Sequence, residues 1–235
     1  MQDKYVGDVG DFGKYGLLRA LCGLHDDKRR LRLAVIWCVP RVLEKGHNEV
    51  DYLGPGHRHA ASLAKCDPLL YAELKCLDCR EQRTLKAVER SQILPAGTGF
   101  SEKPADFPTG RRSGSGPQIV FLDPDNGIRG KAMRRDLAHD DKYVFLDELK
   151  KFYSAGHSLV VYHHLGRHNS AEEQVNEWEE NLRATLNPVA VWPLVYHRGT
   201  CRVFFVAPAN AIDARLLRTR RDAFLQNWQP HFEMF

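Results

Sequence analysis

Three short apolar runs, each cut off abruptly, constrain the fold more than anything else in these 235 residues. Residues 33–39 stop at Pro40, residues 118–122 stop at Asp123-Pro124, and residues 157–162 give way to His163-His164. Runs this short, rich in Val, Ile and Phe and without polar alternation, read as strands buried on both faces. Helical patterns lie between them. Leu17, Leu18, Leu21 and Leu24 form one stripe behind Gly10-Asp11, with Asp11 as a cap. Asp67 caps a helix that has Pro68 at its first position and runs through about Leu74. A further helix is expected over about 80–92 and another over 147–154, stopped by Gly156. Ser170 and Glu173 make a capping box before Ala171, Val175, Trp178, Leu182 and Leu186 on one face. Residues 190–196 and 201–207 read as a closing hairpin around His197–Thr200.

This alternation predicts an α/β fold. It would be a Rossmann-like, doubly wound, mostly parallel sheet with a terminal antiparallel hairpin, all in one domain over 1–235. The Gly-, Pro- and Ser-rich stretch 95–117 reads as a long flexible loop carrying Arg111 and Arg112 at its tip. Composition removes several other classes. The 10% aromatic and 27% charged residues exclude intrinsic disorder, and no apolar run approaches ~20 residues, so no membrane span is expected. Met1-Gln2-Asp3-Lys4 opens no hydrophobic leader, which places the chain in the cytoplasm as an expectation. A net charge of +4 permits a nucleic-acid partner without arguing for one.

Ligands of such sheets sit beyond the carboxyl ends of the strands, so the site is expected at that rim. Phe121-Leu-Asp-Pro-Asp-Asn-Gly-Ile128 brings two acids to the end of a buried strand; Asn126-Gly127 is ordinary turn chemistry, but paired acids are not. Gly7-Asp-Val-Gly-Asp-Phe-Gly-Lys-Tyr-Gly16 carries four glycines, which let the backbone approach something closely. It matches neither a Walker loop nor the dinucleotide fingerprint. In Tyr162-His-His-Leu-Gly-Arg-His168, adjacent strand residues face opposite ways, so one of His163 and His164 can reach a site while the other packs; Arg167 could clamp an oxyanion. Pro124-Asp125 with Glu148-Leu-Lys150 imitates the order of metal-dependent nucleases, but the second part reads as helix. Cys66, Cys76 and Cys79, with His57 or His59, offer a zinc set, against the simpler reading of reduced thiols on helices. Arg218–Arg221, with Trp228 and His231, reads as a solvated helix face with one packing aromatic.

These segments together resemble class I S-adenosylmethionine-dependent methyltransferases, most closely the bacterial enzymes that methylate adenine N6 in large-subunit ribosomal RNA. Gly7-Asp8-Val9-Gly10-Asp11-Phe12-Gly13-Lys14-Tyr15 is similar to that family's G-N-x-x-D-x-x-K-H run. Asp123-Pro124-Asp125-Asn126 stands where it has D-P-P-Y, and Val206-Ala207-Pro208 closes a similar hairpin, so the likeness spans residues 5 to about 208. The resemblance implies S-adenosylmethionine as cofactor, held by Gly7, Asp8, Asp11, Lys14 and Trp37. It implies Asp123, Asp125, Asn126 and His163 as the catalytic group, with Asp123 accepting a hydrogen bond from the acceptor amine. Arg167, His164 and Arg112 would bind the acceptor, a nucleobase amine or a small molecule. Two features depart from the family. Asp125 and Asn126 replace a proline and the stacking aromatic, and Ile36-Trp-Cys-Val-Pro-Arg41 replaces the glycine-rich cofactor turn. Two rivals use the same rim: a hydrolase or nuclease with Mg²⁺ or Mn²⁺ on Asp123 and Asp125, joined by His163 or His164, and a non-catalytic partner subunit.

Overall fold

The computed structural model describes residues 1–24, 29–42, 49–80, 83–107, 114, 116–130, 140–167 and 169–235. In chain order these form α1 (Val9–Cys22), β1 (Leu33–Ile36), α2 (Ala60–Cys66), α3 (Pro68–Cys79), α4 (Leu85–Arg90) and β2 (Gly99–Ser101). Then come β3 (Ile119–Leu122), β4 (Gly127–Arg129), β5 (Tyr143–Phe145), α5 (Leu146–Ser154), β6 (Ser158–His164) and α6 (Ala171–Leu186). The chain ends with β7 (Trp192–Tyr196), β8 (Arg202–Ala207), α7 (Ala211–Asn227) and β9 (Phe232–Met234). No helix among the described residues is long and apolar enough to cross a membrane.

Seven strands pair in the order β2-β1-β3-β6-β8-β7-β9, while β4 and β5 form a separate parallel pair. Pairing is parallel from β2 through β6 and antiparallel from β6 through β9. The fold is therefore α/β, and five of the seven strands run the same way. The alternation of side chains across each strand feeds two cores. Leu33, Val35, Ile119 and Phe121 join the core that contains Leu17, Leu74 and Phe224 of α1, α3 and α7. Ala34, Ile36, Val120 and Leu122 join the one that contains Leu149 and Val175 of α5 and α6. Burial on both faces is why the runs at 33–39, 118–122 and 157–162 carry no polar alternation.

Several expectations need correction. Residues 95–117 are not all loop, because Gly99–Ser101 form a strand paired with β1 and Pro104–Asp106 a turn of 3₁₀-helix. Arg112, with 108–113, lies outside the described residues. The helix at Asp67 runs on to Cys79, while that at 80–92 shrinks to Leu85–Arg90 behind a Thr84 cap. The C-terminal arginines are not all solvated. Arg220 and Arg221 are buried, the first donating to the Leu21 carbonyl and the second lying over the Trp192 ring.

The glycines of α1 do admit a close approach, but the partners are this chain's own side chains. Gly10, Gly13 and Gly16 recur every three residues along one helix face. A Cβ would come within 1.3 Å of Arg202 Nη1 at the first, 2.6 Å of the Tyr196 ring at the second and 2.1 Å of Trp228 at the third. α1 is thus seated directly against the β7–β8 hairpin and the end of α7.

Candidate functional site

The chain leaves β1 toward β2 on one side and returns to β3 on the other. The order in which strands are added therefore reverses between the parallel neighbours β1 and β3, the point where crevices open at the carboxyl ends of strands. A cleft of about 270 Å³ lies at this rim, lined from α1 by Asp8, Asp11 and Lys14, and from the end of β3 by Asp123 through Asn126. Tyr162 and His164 of β6 and Arg202 of β8 complete it.

The floor is a buried charge cluster. Lys14, 4% exposed, donates to Asp11 Oδ1 at 2.6 Å and to Asp123 Oδ2 at 2.7 Å. Burial alone would depress the Lys14 ammonium, but Asp11 and Asp123 outweigh it and hold the group protonated well above its usual range. Burial pushes the Asp123 carboxyl up, opposed by Lys14 and the Met1 amino group. Asp11 also accepts from the Gly7 N–H and the Tyr15 hydroxyl. The helix cap is Asp8 rather than Asp11. The Asp8 carboxylate accepts from the Asp11 N–H, and burial, with Asp11 next, pushes its pKa up to about 6 against the pull of Arg202. The Met1 amino group donates to the carbonyls of Trp37, Cys38 and Asp123 and pairs with Asp125 at 2.6 Å. Gln2 donates to the other Asp125 oxygen.

Asp123 and Asp125 therefore each hold an ammonium group already, and the open pair of carboxylates that the metal reading needs is not formed. Among the described residues no three His, Cys, Asp or Glu side chains gather to hold a metal ion. Cys66 ends α2, whereas Cys76 and Cys79 lie on α3. Glu148-Leu-Lys150 sits in helix α5, as its sequence suggests.

The two histidines divide as strand geometry demands. His164, with Tyr162 two residues before it, faces the cleft. His163 does not reach it. Its Nδ1 accepts from the Ile128 N–H at 2.9 Å, and its ring packs 4.9 Å from that of Trp178, so its place in the catalytic group is withdrawn. Burial, then His164, pushes its pKa down to about 4, which keeps the acceptor nitrogen unprotonated. Gly127, at φ +113°, is required there because a Cβ would lie 2.4 Å from His163 Nδ1.

Trp37 is also removed from the ligand set. Its indole stacks on Phe100 in the core and donates to Glu89, leaving only its carbonyl at the rim. Gly7 supports the cluster through its N–H without lining the cleft. Arg167 is exposed past the end of β6, outside the lining. Asn126 is exposed at the mouth, and its carboxamide has no hydrogen-bond partner among the described residues. Cys38 adopts φ +48°, the left-handed conformation a glycine would supply, and its side chain is turned into the core, so backbone faces the rim.

Sequence reasoning missed Arg202, Thr200, Tyr5 and Glu49, all of which line the cleft. For Arg202 the available signal was a single charge at the head of an otherwise apolar strand, Arg202–Ala207.

No family model matches this sequence, and no curated protein matches it. Four chains of solved structures do. One is the crystal structure of protein LPL1258 from Legionella pneumophila str. Philadelphia 1, 10% identical, with 99% of this chain and 96% of that chain covered and a TM-score of 0.40. At that distance, fold and function rest on the geometry described above.

Proposed function

We propose that this chain is an S-adenosylmethionine-dependent methyltransferase acting on an amine of a nucleobase or small molecule, within a Rossmann-like methyltransferase fold. One observation carries the reading. The two segments that hold the resemblance, 7–15 and 123–126, meet at one cleft through the 2.7 Å contact of Lys14 with Asp123.

The charge of the cleft fits the cofactor. Asp8, Asp11, Glu49, Asp123 and Asp125 line it against Lys14, Arg202 and the Met1 amino group, so carboxylates are in excess. An excess of carboxylates favours a ligand with net positive charge over a dinucleotide with its phosphates. Asp8, whose pKa is raised by burial and then by Asp11, is an acid whose charged form a bound cation would favour.

When bound, the cofactor supplies an electrophilic methyl group on a sulfonium. The chain's own part is to orient the acceptor, because amine methylation depends on alignment more than on prior activation. Asp123, committed to Lys14, is a positioning residue for the end of β3 and not the acceptor for the amine. That role falls to Asn126, whose free carboxamide oxygen can accept from the amine N–H and so direct its lone pair. His164, whose pKa is lowered by burial and then by Arg202 and Arg167, is a neutral base at pH 7 able to take the proton the methylated amine sheds.

Thermal shift with S-adenosylmethionine, S-adenosylhomocysteine and Mn²⁺ in parallel tests this. Stabilisation by the two adenosyl compounds is expected. A response to Mn²⁺ alone would restore the metal-hydrolase reading, and no response to any would favour a non-catalytic subunit.

A further inference from the structure

The cleft also holds a buried arginine to which the methyl-transfer reading assigns no ligand. Arg202 heads β8, directly across the ladder from His164, and is 8% exposed. Its Nε donates to the Thr200 carbonyl at 3.0 Å and its Nη2 to the Thr200 hydroxyl at 2.8 Å. These two bonds fix the guanidinium plane within the short turn before β8. Nη1 has no hydrogen-bond partner among the described residues, and none of their carboxylates reaches ion-pair distance of Arg202, although Asp8 and Asp11 hold its guanidinium charge in place from further off.

The space for this guanidinium is built into the backbone. A Cβ on Gly10 would overlap Nη1, and one on Gly199 would come within 3.2 Å of Nη2. A buried arginine normally finds a carboxylate, because an unpaired buried charge is costly. Here Asp8 and Asp11 act on Arg202 only through charge, with no ion pair formed, and the Asn126 carboxamide, the Thr200 and Tyr162 hydroxyls and the His164 imidazole line the same cleft. Hydrogen-bond donors around a fixed guanidinium with a free edge are the complement of a small oxyanion.

We infer that Arg202 is an oxyanion-recognition residue of this cleft, and that the acceptor carries a phosphate or carboxylate group beside its reacting amine. The inference rests on the methyltransferase reading in one respect, that the oxyanion belongs to the acceptor. The one cleft then meets two opposite demands: its carboxylates suit a cationic cofactor, and Arg202 suits an anionic group of the acceptor.

Calorimetric titration of the full chain with inorganic phosphate, with acetate and with S-adenosylhomocysteine, in the wild type, Arg202→Gln and Gly10→Ala, tests this. Gly10→Ala guards against misfolding of the first variant, since alanine favours the helix while its methyl group displaces Nη1. Phosphate is expected to bind the wild type and to weaken by about tenfold or more in both variants, as loss of a charge-assisted hydrogen bond does. Arg202-dependent binding of acetate in place of phosphate would support the site and identify a carboxylate as its source. Equal oxyanion binding in wild type and variants, or none in the wild type, overturns the inference. Failure of S-adenosylhomocysteine to bind, with Arg202-dependent phosphate binding intact, would sink the methyltransferase reading and leave the oxyanion site standing.

Discussion

Two buried cations face the same cleft and are held in opposite ways. Lys14 is enclosed by carboxylates at 2.6 and 2.7 Å, whereas Arg202 is clamped by Thr200, a neutral residue, and keeps one nitrogen free. A saturated cation is part of the scaffold, because its charge is spent on holding α1 to the end of β3. A clamped but unsaturated one is available to a ligand. Burial does not separate the two, and neither does residue type; the partners do.

The sharpest way to break this contrast is to remove the scaffold cation. Lys14→Met leaves Asp11 and Asp123 buried without their partner, and breaking a buried pair costs about 3–5 kcal/mol. For a chain of this size that corresponds to a fall in Tm on the order of 10 °C by calorimetry. A Tm close to wild type would mean that the cluster does not hold the fold. Arg202→Gln removes no ion pair, so its Tm should move far less than that of Lys14→Met.

His163→Ala comes next in size. It strands the Ile128 N–H and opens space beside Trp178, at a cost of about 1–3 kcal/mol in chemical denaturation. S-Adenosylhomocysteine affinity should not change. A stable His163→Ala protein that lost the cofactor would return this histidine to the site.

The smallest effect comes from Asp8. Its pKa is raised from 3.8 to about 6 on folding, so the protonated form is the one the folded state favours. Its contribution to stability is fully present below the unfolded pKa and is lost as pH rises through about 6. Asp8→Asn keeps a good helix cap and removes that loss. The variant should match wild type near pH 4 and exceed it by a few degrees in Tm above about pH 6, with the gap opening between the two pKa values. A gap that closes with rising pH would contradict the charge pattern of the cleft.

Much of this architecture was legible in the sequence, for identifiable reasons. Strands β1, β3 and β6 are buried on both faces and so announce themselves as unbroken apolar runs. The capping box of α6 and the Asp67 cap of α3 are local chemistry that tertiary contacts did not override. Strands β2 and β9 are three residues long, and Gly99-Phe-Ser101 has no pattern to read apart from its neighbour β1. At the site, the rim location and the placement of Asp123 there followed from where an apolar run stops on acids, whereas Asp8, Asp11 and Lys14 entered only through the resemblance of 7–15, and their closure onto Asp123 joins residues more than 100 apart. The choice between His163 and His164 did not, because a period of two says that they differ without saying which faces in. Nor could spacing show that the glycines of α1 open toward Arg202, Tyr196 and Trp228, which lie far along the chain.

In the proposed function, the carboxylates of α1 and β3 form the cofactor site for a sulfonium compound. Titration of the wild-type chain with S-adenosylmethionine and, separately, with S-adenosylhomocysteine tests it most directly by calorimetry. Both are expected to bind, and S-adenosylmethionine, cationic at sulfur, at least as tightly as its neutral thioether counterpart. Absence of binding heat with both compounds, at concentrations that saturate ordinary cofactor sites, would contradict it.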